Sequence, residues 1–92
     1  MRANPENELY RFSLAQALER EGRGAEAIVH YEWCCARKSD WMVPRILLGK
    51  LFIAAGRREE AKVVLREALA LAIEQEHEDP ETEVRGLLAD LG

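Results

Sequence analysis

The chain has 92 residues, of which 48% are hydrophobic and 33% charged, with only six glycines and three prolines. This balance is too hydrophobic for a disordered chain and fits one small globular domain. The net charge is −4, with 13 basic against 17 acidic residues, so we expect no basic stripe of the kind that binds nucleic acid.

Signals for secretion or membrane insertion are missing from the sequence. The first ten residues, MRANPENELY, lack the apolar segment of a signal peptide, and apolar stretches such as LFIAAG are far too short to cross a bilayer. Cys34 and Cys35 are adjacent, so they cannot cross-link distant segments of the chain. We therefore expect a cytoplasmic protein in a reducing compartment, with no membrane partner.

The first helical pattern follows NPEN, residues 4 to 7, in which Pro5 is predicted to lead into the first helix. Two apolar stretches at helical spacing are separated by Gly22-Arg23. Their residues are Leu9, Phe12, Leu14, Ala15 and Leu18, and then Ala27, Ile28 and Tyr31. This spacing predicts two helices joined by a tight turn, because Gly22 readily takes the left-handed conformation that ends a helix.

The same organisation returns 34 residues later. GRREEA, residues 56 to 61, matches GRGAEA, residues 22 to 27, so that Gly56 corresponds to Gly22. The apolar positions on either side are Val43, Ile46, Leu48, Gly49 and Phe52, and then Ala61, Val64, Leu65, Ala68 and Leu69. A second helical hairpin is therefore predicted.

The helical pattern of the second hairpin continues through LALAIEQEHE, residues 69 to 78, as far as Asp79-Pro80. Pro80 follows Pro5 by 75 residues, which is one period of 34 and one of 41. Seven additional residues are two helical turns, so the pattern predicts a longer second helix with its apolar face unrotated. A final helix over about 81–91 is predicted to pack Val84, Leu87, Leu88 and Leu91.

These two units resemble the tetratricopeptide repeat family, whose 34-residue unit is a helical hairpin. The matching residues are Leu14, Ala15, Leu18, Ala27, Tyr31 and Cys34 in the first unit, and Leu48, Gly49, Phe52, Ala61, Leu65 and Ala68 in the second. The resemblance covers about residues 5 to 72. Arg11 and Arg45 replace the family's early tryptophan, and Ser39 replaces the proline that usually closes a unit.

The resemblance implies an all-α fold, a right-handed α-solenoid of about five helices that forms a single domain over residues 1–92. Repeat one is expected at about 8–41 and repeat two at about 42–79, with an extended second helix. A capping helix is expected at about 81–91. Because about three stacked units are normally needed to bury the faces of such hairpins, this helix, alone or together with a partner chain, is expected to complete the stack.

In the resembled family the first helices of successive units line a concave groove that takes up an extended peptide or a helix. The corresponding residues, which we call the concave face, are Leu9, Phe12, Gln16, Val43, Ile46, Lys50 and Ile53, with Val84 and Leu87 beyond them and Trp41 at the rim. An apolar surface with one cation favours an amphipathic helix or hydrophobic peptide of another protein, oriented by Gln16 and Lys50. The alternative is that the last helix, or the long second helix of repeat two, folds over this face and buries it.

One subset of the family grips a peptide carboxylate with Lys and Asn, but Phe12 and Ile46 stand where that clamp needs polar residues. This activity is therefore not expected in the chain.

The vicinal thiols have a simple structural explanation. Cys34 aligns with Ala68 and Cys35 with Leu69, so both replace hydrophobic residues, and they lie near a helix C-terminus, where the helix dipole disfavours a thiolate. His30 lies four residues before Cys34, but no second pair of ligands has zinc spacing. We predict that the thiols fill space and that the chain binds no cofactor or metal.

An acidic run follows the second hairpin and contains Glu74, Glu76, His77, Glu78, Asp79, Glu81 and Glu83. We interpret it as a solvated helix end; the alternatives are a divalent-cation site and a docking surface for a basic partner. The sequence also lacks a phosphate-binding glycine loop and a Ser-His-Asp set, so no enzymatic activity is expected.

Three functional hypotheses remain. The first is a non-enzymatic protein-interaction module that binds a peptide or helix on the concave face. The second is a self-associating module, a homodimer, that buries the same apolar surface. The third is a thiol-based redox or metal protein that uses Cys34 and Cys35.

Overall fold

The computed structural model describes residues 7–92, so the predicted role of Pro5 lies outside the described residues. Five α-helices follow one another: α1 (Glu8–Arg20), α2 (Gly24–Arg37), α3 (Met42–Ala54), α4 (Arg58–Glu74) and α5 (Glu78–Leu91). No strand occurs between residues 7 and 92. The predicted all-α class and the number of helices are confirmed.

The turns that join α1 to α2 and α3 to α4 have the same geometry. Gly22 and Gly56 have φ angles of 78° and 76°, in the left-handed region. The N–H of Arg23 donates to the carbonyl of Leu18 at 2.9 Å, and the N–H of Arg57 donates to the carbonyl of Phe52 at 2.8 Å. These bonds satisfy carbonyl groups at the helix ends, which confirms the predicted glycine caps.

Each helix packs against the next one along the chain, so that α3 contacts both α2 and α4, and α5 contacts α4. The core lies between the helices and contains the small and apolar residues of the repeat pattern. Its fully buried members include Ala15, Ala27, Tyr31, Cys34, Ala61, Leu65 and Ala68. The alanines among them let neighbouring helices approach closely, as the repeat pattern predicts, while Tyr31 and Leu65 fill the space between the helices.

The second helix of repeat two is longer than that of repeat one, as predicted, but with 17 residues against 14 it gains three residues and not seven. Helix α4 ends at Glu74, and α5 begins at Glu78, before Pro80. The backbone reverses at Glu76, whose φ of 56° is left-handed, and the N–H of His77 donates to the carbonyl of Ala72 at 2.9 Å. The helix therefore closes with the hydrogen-bond pattern of the two glycine turns, although a glutamate occupies the left-handed position.

Pro80 belongs to the first turn of α5 and does not mark a break. It is the third residue of α5, just as Pro44 is the third residue of α3. A proline in the first helical turn costs little, because N–H groups there have no intrahelical partner. Helices α1, α3 and α5 start at Glu8, Met42 and Glu78, so the second period is 36 residues and not 41.

With this period, α5 is the first helix of a third unit. Val84 takes the position of Leu48 in α3 and is fully buried against the core, so its predicted place on the concave face is wrong. In α5, Arg85 takes the position that Ala15 has in α1 and Gly49 has in α3. Its guanidinium group lies 2.9 Å from the carboxylate of Glu81. A polar residue at this position is typical of the outer face of a terminal unit.

The last helix continues the stack alongside α4 and does not fold across α1 and α3. It packs against α4 as α3 packs against α2. Arg58, at the start of α4, donates to the carbonyl of Leu91 at 2.6 Å and fixes the end of α5. The concave face between α1 and α3 is therefore left uncovered by α5.

In the described part of the chain, no helix has both the length and the hydrophobicity that a bilayer span requires.

Candidate protein-interaction site

Two aromatic side chains of the concave face are in direct contact. The rings of Phe12, on α1, and Trp41, just before α3, have centroids 5.0 Å apart. Phe12 also meets Tyr31 edge to face at 5.8 Å. Tyr31 is fully buried and donates its hydroxyl hydrogen to Glu19 at 2.9 Å. Phe12 therefore rests on a fixed aromatic support, and Trp41 is held at the edge of the face.

A pocket of about 430 Å³ opens next to this pair. Its lining comes from the start of α1 and from the loop between α2 and α3, and consists of Asn7, Glu8, Leu9, Lys38, Asp40 and Trp41. Leu9 is 67% exposed and adds apolar surface to the lining of this pocket. Two apolar walls with charged groups at the rim can hold an apolar side chain and also contact polar backbone or side-chain groups nearby.

The start of α1 is fixed, which gives the pocket a defined wall. The side-chain Oδ1 of Asn7 accepts hydrogen bonds from the N–H groups of Leu9 at 2.8 Å and Tyr10 at 3.1 Å. This is the usual N-terminal cap of a helix. Of the residues that line the pocket, Leu9 and Trp41 are predicted from the sequence, whereas Asn7, Glu8, Lys38 and Asp40 are not. The signal in the sequence that points to this pocket is the pair of charged residues, Lys38 and Asp40, on either side of Ser39, where the resembled family closes a unit with proline.

The remaining residues of the concave face differ in exposure. Val43, at the position of Leu9 one repeat later, is 47% exposed and available for contact. Ile46 is only 7% exposed and belongs to the core, so it supports the face from beneath and presents little surface to a ligand. Gln16 and Ile53 are half-buried. Within the concave face, the exposed apolar surface is thus concentrated at the starts of α1 and α3.

Lys50 is exposed but already has an ionic partner. Its Nζ lies 2.6 Å from Oε2 of Glu83, on α5. Glu83 belongs to the acidic run that was predicted, from its charges alone, to be a solvated helix end, whereas in the structure it pairs with Lys50. In the correct register, the positions of Val43, Ile46, Lys50 and Ile53 are taken in α5 by Asp79, Thr82, Gly86 and Ala89, so the third helix adds small and polar residues to this face.

The two thiols lie in apolar surroundings. Cys34 is fully buried, and its Sγ donates to the carbonyl of Glu8 at 3.7 Å. Burial raises the pKa of Cys34, and burial also raises the pKa of Cys35 to about 11. A thiol with a raised pKa holds little thiolate at neutral pH, so the structure favours the packing role. Within residues 7–92, no group of three or more His, Cys, Asp or Glu side chains has a geometry suited to a metal ion.

No protein-family model matches this chain, and no curated protein matches it. Several solved structures do match this chain. The solution structure of a tetratricopeptide repeat domain protein from Salinibacter ruber superposes with a TM-score of 0.86 over 97% of this chain and 90% of that chain, at 20% sequence identity.

Two complexes are also similar to this chain. PcrH in complex with the chaperone-binding region of PopD has a TM-score of 0.87 at 17% identity, over 96% of this chain and 67% of that chain. The Yersinia enterocolitica type III secretion chaperone SycD, in complex with a peptide of the translocator YopD, has a TM-score of 0.85 at 18% identity, over 94% of this chain and 66% of that chain. The chain therefore has the tetratricopeptide repeat fold, as its two repeats predict.

Proposed function

We propose that this chain is a non-enzymatic binding module that holds an apolar peptide or an amphipathic helix of another protein on its concave face. The observation that carries the proposal is the pocket of about 430 Å³ between the exposed side chain of Leu9 and the ring of Trp41. Val43 extends the same exposed surface along the start of α3. A few anchors, with tryptophan prominent among them, supply most of the binding energy in typical interfaces.

The charges around the pocket favour a peptide over a small apolar ligand. Lys38 provides a cation on the rim, and Glu8 and Asp40 provide carboxylates. A peptide segment offers both donors and acceptors to such a rim, while one of its apolar side chains fills the space beside Trp41. The solved complexes support this proposal, since PcrH and SycD have the same fold and hold segments of partner proteins.

The test uses two substitutions on the pocket walls and one matched control. Leu9→Asp and Trp41→Ala change the pocket, whereas Val29→Asp changes an apolar residue of α2 that is 59% exposed and does not line it. A partner is first captured from a lysate on the immobilised chain, identified, and reduced to its binding segment as a synthetic peptide. We expect both pocket variants to weaken binding of that peptide about tenfold or more, and the control to bind normally.

The alternative of self-association is decided by the same protein samples. Sedimentation over a concentration range reports whether the chain alone is a monomer. A dimer that Leu9→Asp converts to monomers would replace the proposal with the homodimer hypothesis. Equal binding of the peptide to all three variants would show that the concave face is not the binding site.

A further inference from the structure

A second groove lies between α2 and α4, which are the second helices of the two hairpins. Helix α3 packs against both of them and forms the floor. Two cavities, of about 300 Å³ and about 260 Å³, lie along this groove and meet at Glu67. The first is lined in part by Cys35, Phe52 and Val63, and the second by Ala70 and Leu71. We call this surface the second-helix groove.

The side of α4 that borders the groove has a regular sequence. Glu60, Glu67 and Glu74 follow one another at intervals of seven residues, and Val63 and Ala70 lie between them at the same interval. All five residues line the two cavities. Because seven residues are almost two helical turns, these side chains form one straight stripe of alternating carboxylates and small apolar residues. Val63 is 57% exposed, so the stripe presents apolar surface to solvent.

The charge of the groove is negative. Glu32 on α2 adds a fourth carboxylate on the facing side. Two arginines offset part of this charge, because Arg57 lies 2.6 Å from Glu60 and Arg45 lies 3.4 Å from Glu67. The remaining excess of carboxylates lies within an apolar surface, so electrostatic complementarity favours a basic partner that also has apolar side chains.

We infer that the second-helix groove binds an amphipathic helix of another protein that carries small apolar residues flanked by Lys or Arg at seven-residue intervals. Its apolar residues would cover Val63 and Ala70, and its cations would meet Glu60, Glu67 and Glu74. This surface is formed by α2, α3 and α4 and shares no lining residue with the pocket beside Trp41. The inference is therefore independent of the function proposed for the concave face.

The probe is a synthetic 21-residue helix with leucine and alanine at the heptad core positions and arginine at the flanking positions. Its twin has glutamate in place of each arginine. We expect the basic peptide to bind, with an affinity that falls as the salt concentration rises, and the acidic twin not to bind. Both affinities are measured by fluorescence anisotropy.

The decisive variant reverses charges within the groove. Glu67→Lys with Glu74→Lys should weaken the basic peptide about tenfold and create binding of the acidic twin. The matched control, Glu59→Lys with Glu78→Lys, changes the net charge equally at exposed positions that line neither cavity. Gain of binding by the acidic twin also shows that the variant is folded. Alkylation of Cys35, followed in alkaline solution because its thiol holds little thiolate at neutral pH, should slow when the basic peptide is bound, because Cys35 lines the groove.

Three results would overturn the inference. The first is equal loss of binding in the groove variant and the control, which indicates attraction to net charge alone. The second is that the bound peptide protects Trp41 from chemical modification but does not protect Cys35 from alkylation. This result would place the peptide on the concave face. The third is a chain that dimerises on its own and loses the dimer in the groove variant, which makes a second copy the occupant.

Discussion

Lys50 on α3 and Glu83 on α5 form an ion pair, with Nζ and Oε2 2.6 Å apart, that joins two units of the stack across the concave face. The side chains are 43% and 46% exposed, so solvent and salt screen their attraction. Such pairs contribute little to stability. The pair matters more for binding, because an acidic group of a partner has to compete with Glu83 for Lys50.

A double-mutant cycle measures this pair. We expect Lys50→Met and Glu83→Gln each to lower the free energy of unfolding by less than about 1 kcal/mol, with a coupling energy of similar size. Urea denaturation of the four proteins at low and high salt gives the coupling and its screening. A coupling above about 2 kcal/mol that does not change with salt would show that the pair behaves as a buried one.

The turn at Glu76 predicts a stabilising substitution. Glu76 has a φ of 56°, where a residue with a Cβ is strained, whereas the matching turns have Gly22 and Gly56. We expect Glu76→Gly to raise the free energy of unfolding by about 1 kcal/mol, because the strain is larger than the entropy that glycine adds to the unfolded chain. Urea denaturation measures the change.

The control for this substitution separates backbone strain from charge. Glu76→Ala removes the same carboxylate from the acidic run but keeps a Cβ at the left-handed position. It should therefore leave the free energy of unfolding nearly unchanged. If Glu76→Ala stabilises the protein as much as Glu76→Gly does, repulsion among the carboxylates is the cause, and the strain argument fails.

The same turn explains how far the sequence could predict the fold. The two hairpins were predictable because Gly22 and Gly56 mark their turns and small residues repeat at equivalent positions. The third turn carries no glycine, so its position could not be recognised from residue type. The sequence suggests that Pro80 corresponds to Pro5, whereas in the structure it corresponds to Pro44, so the end of α4 and the register of α5 differ from the prediction.

The candidate site was predictable to a similar extent. The repeat register placed Leu9 and Val43 on an exposed face, and both are exposed. Burial of Ile46 was not predictable, because it depends on how closely α3 approaches its neighbours. The contact of Lys50 with Glu83 requires the 36-residue period, which becomes evident only from the helix boundaries.

Two glycines inside helices are expected to respond oppositely to alanine. A Cβ at Gly49 would lie 2.6 Å from Cγ of Leu65, a fully buried residue, so Gly49→Ala should lower the free energy of unfolding by about 1–3 kcal/mol. A Cβ at Gly86 meets nothing within 4 Å, and Gly86→Ala should stabilise α5 by about 0.5–1 kcal/mol. Thermal and urea denaturation compare the two variants. Equal effects of the same sign would show that helix propensity, and not the contact with Leu65, decides the result.

Cys35 predicts how stability changes in alkaline solution. Burial raises its pKa from 9.0 to about 11, so between these values the unfolded chain loses the thiol proton before the folded chain does. The contribution of the protonated Cys35 thiol to the free energy of unfolding is complete below about pH 9. It is lost as the pH rises toward about 11, because the unfolded state then binds fewer protons than the folded state. Since Cys35 is only partly buried, screening keeps the loss below about 1 kcal/mol at about pH 10.

Urea denaturation of the protein and of Cys35→Ala at about pH 8 and about pH 10 isolates this contribution. The variant should lose less stability than the parent over this interval, and equal losses would show that the folded chain does not protect the Cys35 thiol.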